Sequence, residues 1–290
     1  MWKSAISKIE PNHILTRGYR QEDLIGNVPF ASVFFLLVRG RMPSAKEAVM
    51  IDAIITSSVD HGVTPPSTHA SRIVASAGVS LPTAVAAGIL AVGDVHGGAI
   101  EDCARILQEW VKTKHQKKMS FQEIAQILLG KLKGQGKYMP GFGHRIHTQD
   151  PRTKRLFGMA DELGITNGHI KLTRAIEKEF AKQKALPVNV DGAIGAIISD
   201  LGFDWRLGKA FFLIGRCAGL IAHVYEEVTT QKPMRTMCTS EVEYDGPWER
   251  DLLVNSKFQK PKSKFTPLDS SASNGARIPS TKSKTRPRSK

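Results

Sequence analysis

Between Pro29 and Glu227 the apolar residues recur at three- and four-residue steps, broken by Gly and Pro, and strand-like alternation is scarce. That pattern restricts the chain to helices packed on helices, so an all-α fold is expected. Pro29–Arg39 is a dense apolar helix closed by Gly40. Ser44 with Glu47 three residues later marks the next N-terminus as a capping box. Ser71–Gly78 and Leu81–Leu90 are rich in small residues, which let helix backbones approach closely inside a core. Gly97 opens a helix through Ala99–Trp110, and Ala210–Glu227 is a long helix with Phe211, Phe212, Ile214, Ile221 and Tyr225 on its apolar face and Arg216 among them.

With 290 residues, 41% of them hydrophobic, the chain can bury a sizeable core. The apolar run Ala84–Val92 falls well short of the roughly 20 residues of a membrane helix, and Met1–Glu10 lacks the apolar centre of a secretion signal, so a cytoplasmic protein without membrane contact is expected. Cys103, Cys217 and Cys238 are odd in number and widely spaced, the pattern of reduced thiols rather than of a disulfide framework or zinc site. The net charge of +14 is uneven. Residues 256–290 carry ten Lys or Arg against Asp269 alone, so the tail holds +9 of it. Such a polar, Ser/Pro/Lys-rich segment cannot repay the entropy of ordering, and a disordered basic tail is expected. With only Phe258 and Phe265 as stacking surfaces, the charge does not point to nucleic acid.

Chemistry concentrates at a few polar islands. In Pro140-Gly141-Phe142-Gly143-His144-Arg145, two glycines give the backbone freedom around a histidine, the side chain suited to moving a proton near neutral pH, and Arg152 follows in Asp150-Pro151-Arg152. His96 stands just before a helix start, where the helix dipole favours a neutral imidazole and an anionic ligand. Asp191 lies in the apolar run Val188–Ile194, a setting that raises a carboxyl pKa and suits a general base, although the same position also fits a helix N-cap. Arg216, inside an apolar helix, requires an anion: a structural carboxylate, or a substrate carboxylate held bidentately. His61 and His69 are eight residues apart, with no HExxH and no clustered acids, so no metal site is expected. Walker A, GxSxG and GxGxxG signatures are missing, which disfavours phosphate-loop and serine-hydrolase classes.

In order along the chain, these islands resemble the citrate synthase superfamily. Thr16-Arg-Gly-Tyr-Arg-Gln-Glu-Asp-Leu24 is similar to its RGYxxEDL string and Asp60-His61-Gly62 with His69 to its DHG…H segment. Gly93-Asp-Val-His96-Gly-Gly, Gly141-Phe-Gly-His144-Arg145 with Asp150-Pro-Arg152, Asn189-Val-Asp191-Gly, and Arg216 leading to Arg235 are similar to its catalytic strings. The resemblance spans about residues 10–240, and within the superfamily it is greatest to citryl-CoA lyase and to the carboxy-terminal part of ATP citrate lyase.

The resemblance implies a two-domain helical fold, with a large domain from 1–95 and 192–250 and a smaller CoA-binding domain from 96–191. It implies cleavage of citryl-CoA to acetyl-CoA and oxaloacetate, or, in the other direction, condensation of an acyl-CoA with oxaloacetate by a citrate, 2-methylcitrate or alkylcitrate synthase. A non-catalytic binding protein on the same fold is a third reading. By resemblance, His96, His144 and Asp191 are catalytic, and His61, Arg152, Arg216 and a neighbouring subunit's Arg235 clamp the oxo-acid. Gly141, Phe142, Gly143 and Arg145 would line CoA, which is a substrate, with no tightly bound cofactor. A homodimer or higher homo-oligomer is implied, and a separate ligase would supply citryl-CoA, since ATP-grasp and CoA-ligase modules do not occur in this sequence.

Overall fold

Among the described residues, eleven α-helices follow a three-stranded antiparallel meander. The computed structural model describes residues 1–144, 148–182, 186–236 and 241–250. Arg145, Cys238 and the basic tail from 256 lie outside them. Met1–Met237 forms one compact unit and Cys238–Lys290 a second, in which Tyr244 Oη donates to the Pro247 carbonyl at 2.8 Å.

The meander consists of β1 (Ser7–Glu10), β2 (His13–Thr16) and β3 (Tyr19–Arg20), with Ser7 opposite Thr16 and Leu15 opposite Arg20. These strands depart from the helical pattern because each is too short to bury a face. Arg17 docks them on the body by donating to the Leu37 carbonyl at 3.0 and 2.7 Å.

The helices are α1 (Gln21–Leu24), α2 (Phe30–Arg39), α3 (Ala45–Ser57), α4 (Pro66–Ser76), α5 (Leu81–Leu90), α6 (Ala99–Lys117), α7 (Phe121–Gly134), α8 (Pro151–Glu162), α9 (Gly168–Ala181), α10 (Val190–Asp200) and α11 (Gly208–Thr230). Their ends follow the sequence signals. Gly40, at φ 72°, takes the left-handed C-cap of α2 and donates to Leu36 at 2.8 Å. Ser44 and Glu47 form the capping box of α3, and Ser120 with Glu123 repeats it on α7.

One core runs through α2, α3, α6, α7, α8, α9, α10 and the start of α11, with α10 buried from Gly192 to Ser199. Gly195 lets α10 lie against the backbone of α6, where a Cβ would sit 3.0 Å from the Ile100 carbonyl oxygen. Phe203 joins Phe35 and Phe211 in edge-to-face contacts at 5.4 and 5.1 Å. A second cluster, Ala75, Ala84, Val85, Leu220 and Val224, packs α4 and α5 on α11. By length and composition the Trp205–Thr230 segment could cross a membrane, yet its inner face buries Arg216 and a Glu227 carboxylate that receives Arg72 Nε at 2.7 Å.

Truncating Phe211, which is fully buried, removes two edge-to-face contacts and leaves a cavity. Phe211→Ala is expected to lower unfolding stability by about 3–5 kcal/mol, measured as a shift in urea midpoint at constant slope. A loss below about 1 kcal/mol would show that this ring is not a core contact.

Candidate active site

The Gly141–His144 segment crosses the start of α10. Asn189 N donates to Gly141 O at 3.0 Å and Gly143 N to Pro187 O at 2.8 Å, which pairs Phe142 with Val188 as an antiparallel bridge. Gly141 and Gly143 have φ of 82° and 78°, backbone that side chains resist. At Gly141 space also matters, because a Cβ there would lie 2.5 Å from Gly192 Cα. Asn189 clasps loop and helix together. Its Oδ1 accepts from the N–H groups of Asp191 and Gly192 at 3.0 and 3.1 Å, while its Nδ2 donates to Gly143 O at 2.7 Å. The helix cap is therefore Asn189, not Asp191, which settles the alternative left open by the sequence.

Released from capping, the Asp191 carboxylate receives no hydrogen bond among the described residues. It retains some accessible surface, but protein encloses the carboxylate on nearly every side. That burial pushes its pKa up to about 6, against the pull of the Arg152 and Arg216 charges and with a smaller push from Asp150. Arg152 is held in turn by Asp150, whose side chain caps α8 and receives Arg152 Nε at 3.0 Å and Nη2 at 2.8 Å. Asp150 also accepts from Val190 N at 3.3 Å, linking α8 to the start of α10. Burial would raise the Asp150 pKa, but these Arg152 bonds and charge prevail and hold it below the usual carboxylate range.

His96 sits in a tight turn where Gly93 and His96 exchange backbone hydrogen bonds, both 3.0 Å. Its Nε2 lies 2.8 Å from Ser67 Oγ, and the ring packs edge-on to Phe212 at 5.6 Å. Burial, then the Arg216 charge, lower the His96 pKa, so the ring is neutral. Arg216 is 3% exposed. It donates to Ser58 O at 3.2 Å, reaches Ser67 Oγ at 3.5 Å and lies over the Phe212 ring at 4.7 Å, with no contacting carboxylate among the described residues. Arg216 can only donate, so Ser67 Oγ accepts from it, and the same hydroxyl links Arg216 to His96 Nε2. His61 joins from the loop after α3, its ring edge-on to His144 at 5.5 Å.

The structure thus groups His96 with Arg216, Arg216 and Arg152 around Asp191, and His61 with His144. Arg235 is placed elsewhere in its own chain: it donates to Glu227 through Nε and Nη2, both at 2.9 Å, beside the buried Arg72 pair. Phe142 packs on Phe180 at 5.4 Å, and Arg145 lies outside the described residues. Sequence reasoning missed Ser67, Asp150 as an anchor and Asn189 as the cap. Asn and Asp two residues before a charged site residue were visible signals; Ser67 carried none. No group of three His, Cys, Asp or Glu among the described residues could hold a metal ion, and the surface clefts near Trp110 and Phe121 contain none of these site residues.

A carboxyl whose folded pKa is raised from 3.8 to about 6 binds a proton more tightly in the folded state, so it favours folding at low pH and costs stability as pH rises through that window. Asp191→Asn removes the cost. The variant is expected to gain about 2 kcal/mol over wild type between pH 4 and pH 8, followed by urea titrations at both values. An equal difference at the two pH values would place Asp191 in an ordinary solvated setting.

Comparison with known proteins fits this geometry. The citrate synthase C-terminal domain model matches residues 44–237. The structure of citryl-CoA lyase from Hydrogenobacter thermophilus aligns with a TM-score of 0.80 at 45% identity, covering 87% of this chain and 97% of that one. The probable ATP-citrate synthase of Dictyostelium discoideum is 30% identical over 206 residues, 64% of this chain and 31% of that protein. The citrate/2-methylcitrate synthase of Bacillus subtilis (strain 168) is 30% identical over 224 residues, 75% of this chain and 56% of that protein. The chain spans about a third of the first of these two curated relatives and just over half of the second. Since the family model covers most of the helical body and every grouped site residue lies within it, the chain belongs to the citrate synthase family.

Proposed function

We propose that the protein cleaves citryl-CoA to acetyl-CoA and oxaloacetate. The observation that carries this reading is Arg216: a buried guanidinium, facing Arg152 and Asp191 but contacting no carboxylate among the described residues, suits a carboxylate brought by substrate. The likeness to the Hydrogenobacter thermophilus citryl-CoA lyase over nearly the whole of that chain supports the choice of reaction.

In this mechanism Arg152 and Arg216 hold the carboxylates of the citryl group, with His61 beside them. His144 takes the tertiary hydroxyl proton as the carbonyl of oxaloacetate forms. The bond between the hydroxyl-bearing carbon and the thioester α-carbon breaks, and its electron pair moves into the acetyl-CoA enolate. His96, kept neutral, donates a hydrogen bond to the enolate oxygen, and protonated Asp191 returns a proton to carbon. An Asp191 pKa of about 6 leaves that acid partly protonated near neutrality. The Gly141–Gly143 backbone would lie along CoA. Residues 96–191 would act as the small domain that closes on substrate.

Run backwards, the same groups condense an acyl-CoA with oxaloacetate to a citryl-type CoA thioester, which a synthase then hydrolyses with water to citrate and free CoA; the match to the Bacillus subtilis citrate/2-methylcitrate synthase supports this second reading. Incubation with citryl-CoA, and separately with acetyl-CoA plus oxaloacetate, distinguishes them. Rapid oxaloacetate release from the first without net citrate from the second supports the lyase; citrate and free CoA from the second support the synthase. Inactivity in both would favour a non-catalytic binding protein. Asp191→Asn is expected to lower turnover by about 100-fold or more with little change in KM, read from initial rates. Unchanged turnover would remove Asp191 from the chemistry.

The same proposal includes a homodimer. Ile73 on α4, Leu81 and Leu90 on α5, and Ile221 and Tyr225 on α11 are exposed apolar side chains on neighbouring helices, and Arg235 stands partly exposed at the end of α11. If a neighbour's Arg235 completes the site, activity per mass falls on dilution through the dissociation range, as followed by mass photometry. A fully active monomer would reject it.

A further inference from the structure

We propose that Asp60 and His223 are positioning residues for the oxo-acid end of the site, their hydrogen bond locking the loop that carries His61 onto α11. This rests on the function proposed above. Three positions of α11 spaced four residues apart receive this loop and the helix end before it. A Cβ on Gly215 would collide with the Ile55 carbonyl oxygen, and one on Gly219 with the Val59 carbonyl oxygen. One turn further, His223 Nε2 lies 2.9 Å from Asp60 Oδ1. The two glycines thus form a track in which the backbone from Ile55 to Val59 lies directly on the helix, and His223 fastens its far end.

Beyond the track the chain turns sharply. Asp60 Oδ2 accepts from Gly62 N at 3.0 Å, and Gly62 takes φ of 76°. His61, between the two, is thereby turned to His144. The same loop shapes Arg216, which donates to Ser58 O within the track and feels the Asp60 charge. Asp60 therefore reaches two proposed substrate-binding groups, His61 by backbone geometry and Arg216 by charge. Other charged groups near His223 act on its far side: Glu226 lies 3.8 Å from Nδ1 and is itself bonded to Arg72 at 2.9 Å. Asp60 and His223 contact neither the Asp191 carboxylate nor His96, so proton transfer at carbon is outside their reach.

Kinetics with paired variants test this. His223→Ala is expected to raise KM for citryl-CoA, or for oxaloacetate in the condensing direction, by about 10-fold, with kcat altered less than about 3-fold and KM for acetyl-CoA unchanged. His223→Gln, which keeps a donor within reach of Asp60, is expected to recover most of the loss. Asp60→Ala should resemble His223→Ala, and the double variant should be little worse than either single one. Histidine-labelled NMR of the same proteins supplies a readout independent of turnover: the His61 ring resonances shift in His223→Ala and return in His223→Gln, with Tm held within a few degrees. If the wild type is inactive toward every substrate, the proposed reaction fails while the His61 resonances still decide the positioning role. Wild-type KM and unmoved His61 signals in His223→Ala, or no recovery in His223→Gln, would overturn the proposal.

Discussion

Backbone meets backbone where Gly141 crosses Gly192, and the arrangement of the site depends on that contact. A side chain at either glycine would lift the loop from α10, and His144 would move with it. Asp191 immediately precedes Gly192, so the same contact fixes both groups that are proposed to move protons. Asn189 turns proximity into register, because one amide caps the helix and holds the loop. α10 cannot shift to absorb a change: Gly195 lies on α6, and Asp150 ties the first turn to α8. Geometry at the site is thus set by packed backbone, which deforms little, rather than by flexible side chains.

The electrostatics of this corner are a contest that burial wins at Asp191 and loses at Asp150. Both carboxylates are desolvated and both face Arg152. Asp150 receives two guanidinium hydrogen bonds and two backbone N–H groups, enough to keep it ionised. Asp191 feels Arg152 and Arg216 only through space, and a charge several ångströms away in an effective dielectric near 20 is worth about 2–4 kcal/mol, less than contact hydrogen bonds plus charge. Two acids that feel one arginine are thereby driven in opposite directions, one to anchor it and one toward the proposed proton exchange.

Helix boundaries were legible because their signals are local. Gly40, Ser44 with Glu47, and the apolar spacing of Ala99–Trp110 each act within one or two turns, and the structure follows them. The ordered polar islands were legible too, and His61, His96, His144, Arg152, Asp191 and Arg216 come together in groups that the fold assembles from six separate segments. What escaped are the residues that hold others in place. Ser67 looks like any helical serine until α11 brings Arg216 against it. The choice between Asn189 and Asp191 as cap turns on side-chain geometry that spacing does not encode. Arg235, expected at a neighbouring subunit's oxo-acid site, meets within its own chain Glu227, a carboxylate whose burial no local pattern announces. The N-terminal meander likewise depends on Arg17 finding a carbonyl on α2, a contact between distant parts of the chain.

Burial and a neighbouring cation set the charge of His96. Arg216 offers protons only, so the oxygen of Ser67 accepts from it, and the same hydroxyl meets His96 Nε2. A protonated His96 would put a second cation beside Arg216 in a buried place, which both burial and charge oppose. Burial and Arg216 together therefore keep His96 neutral, which suits its proposed role of steadying an enolate oxygen. In the proposed reaction, proton movement falls to Asp191, poised near pH 6, and to His144 across from His61. The reaction proposed here would thus separate stabilising negative charge from moving protons by giving each task a different neighbour.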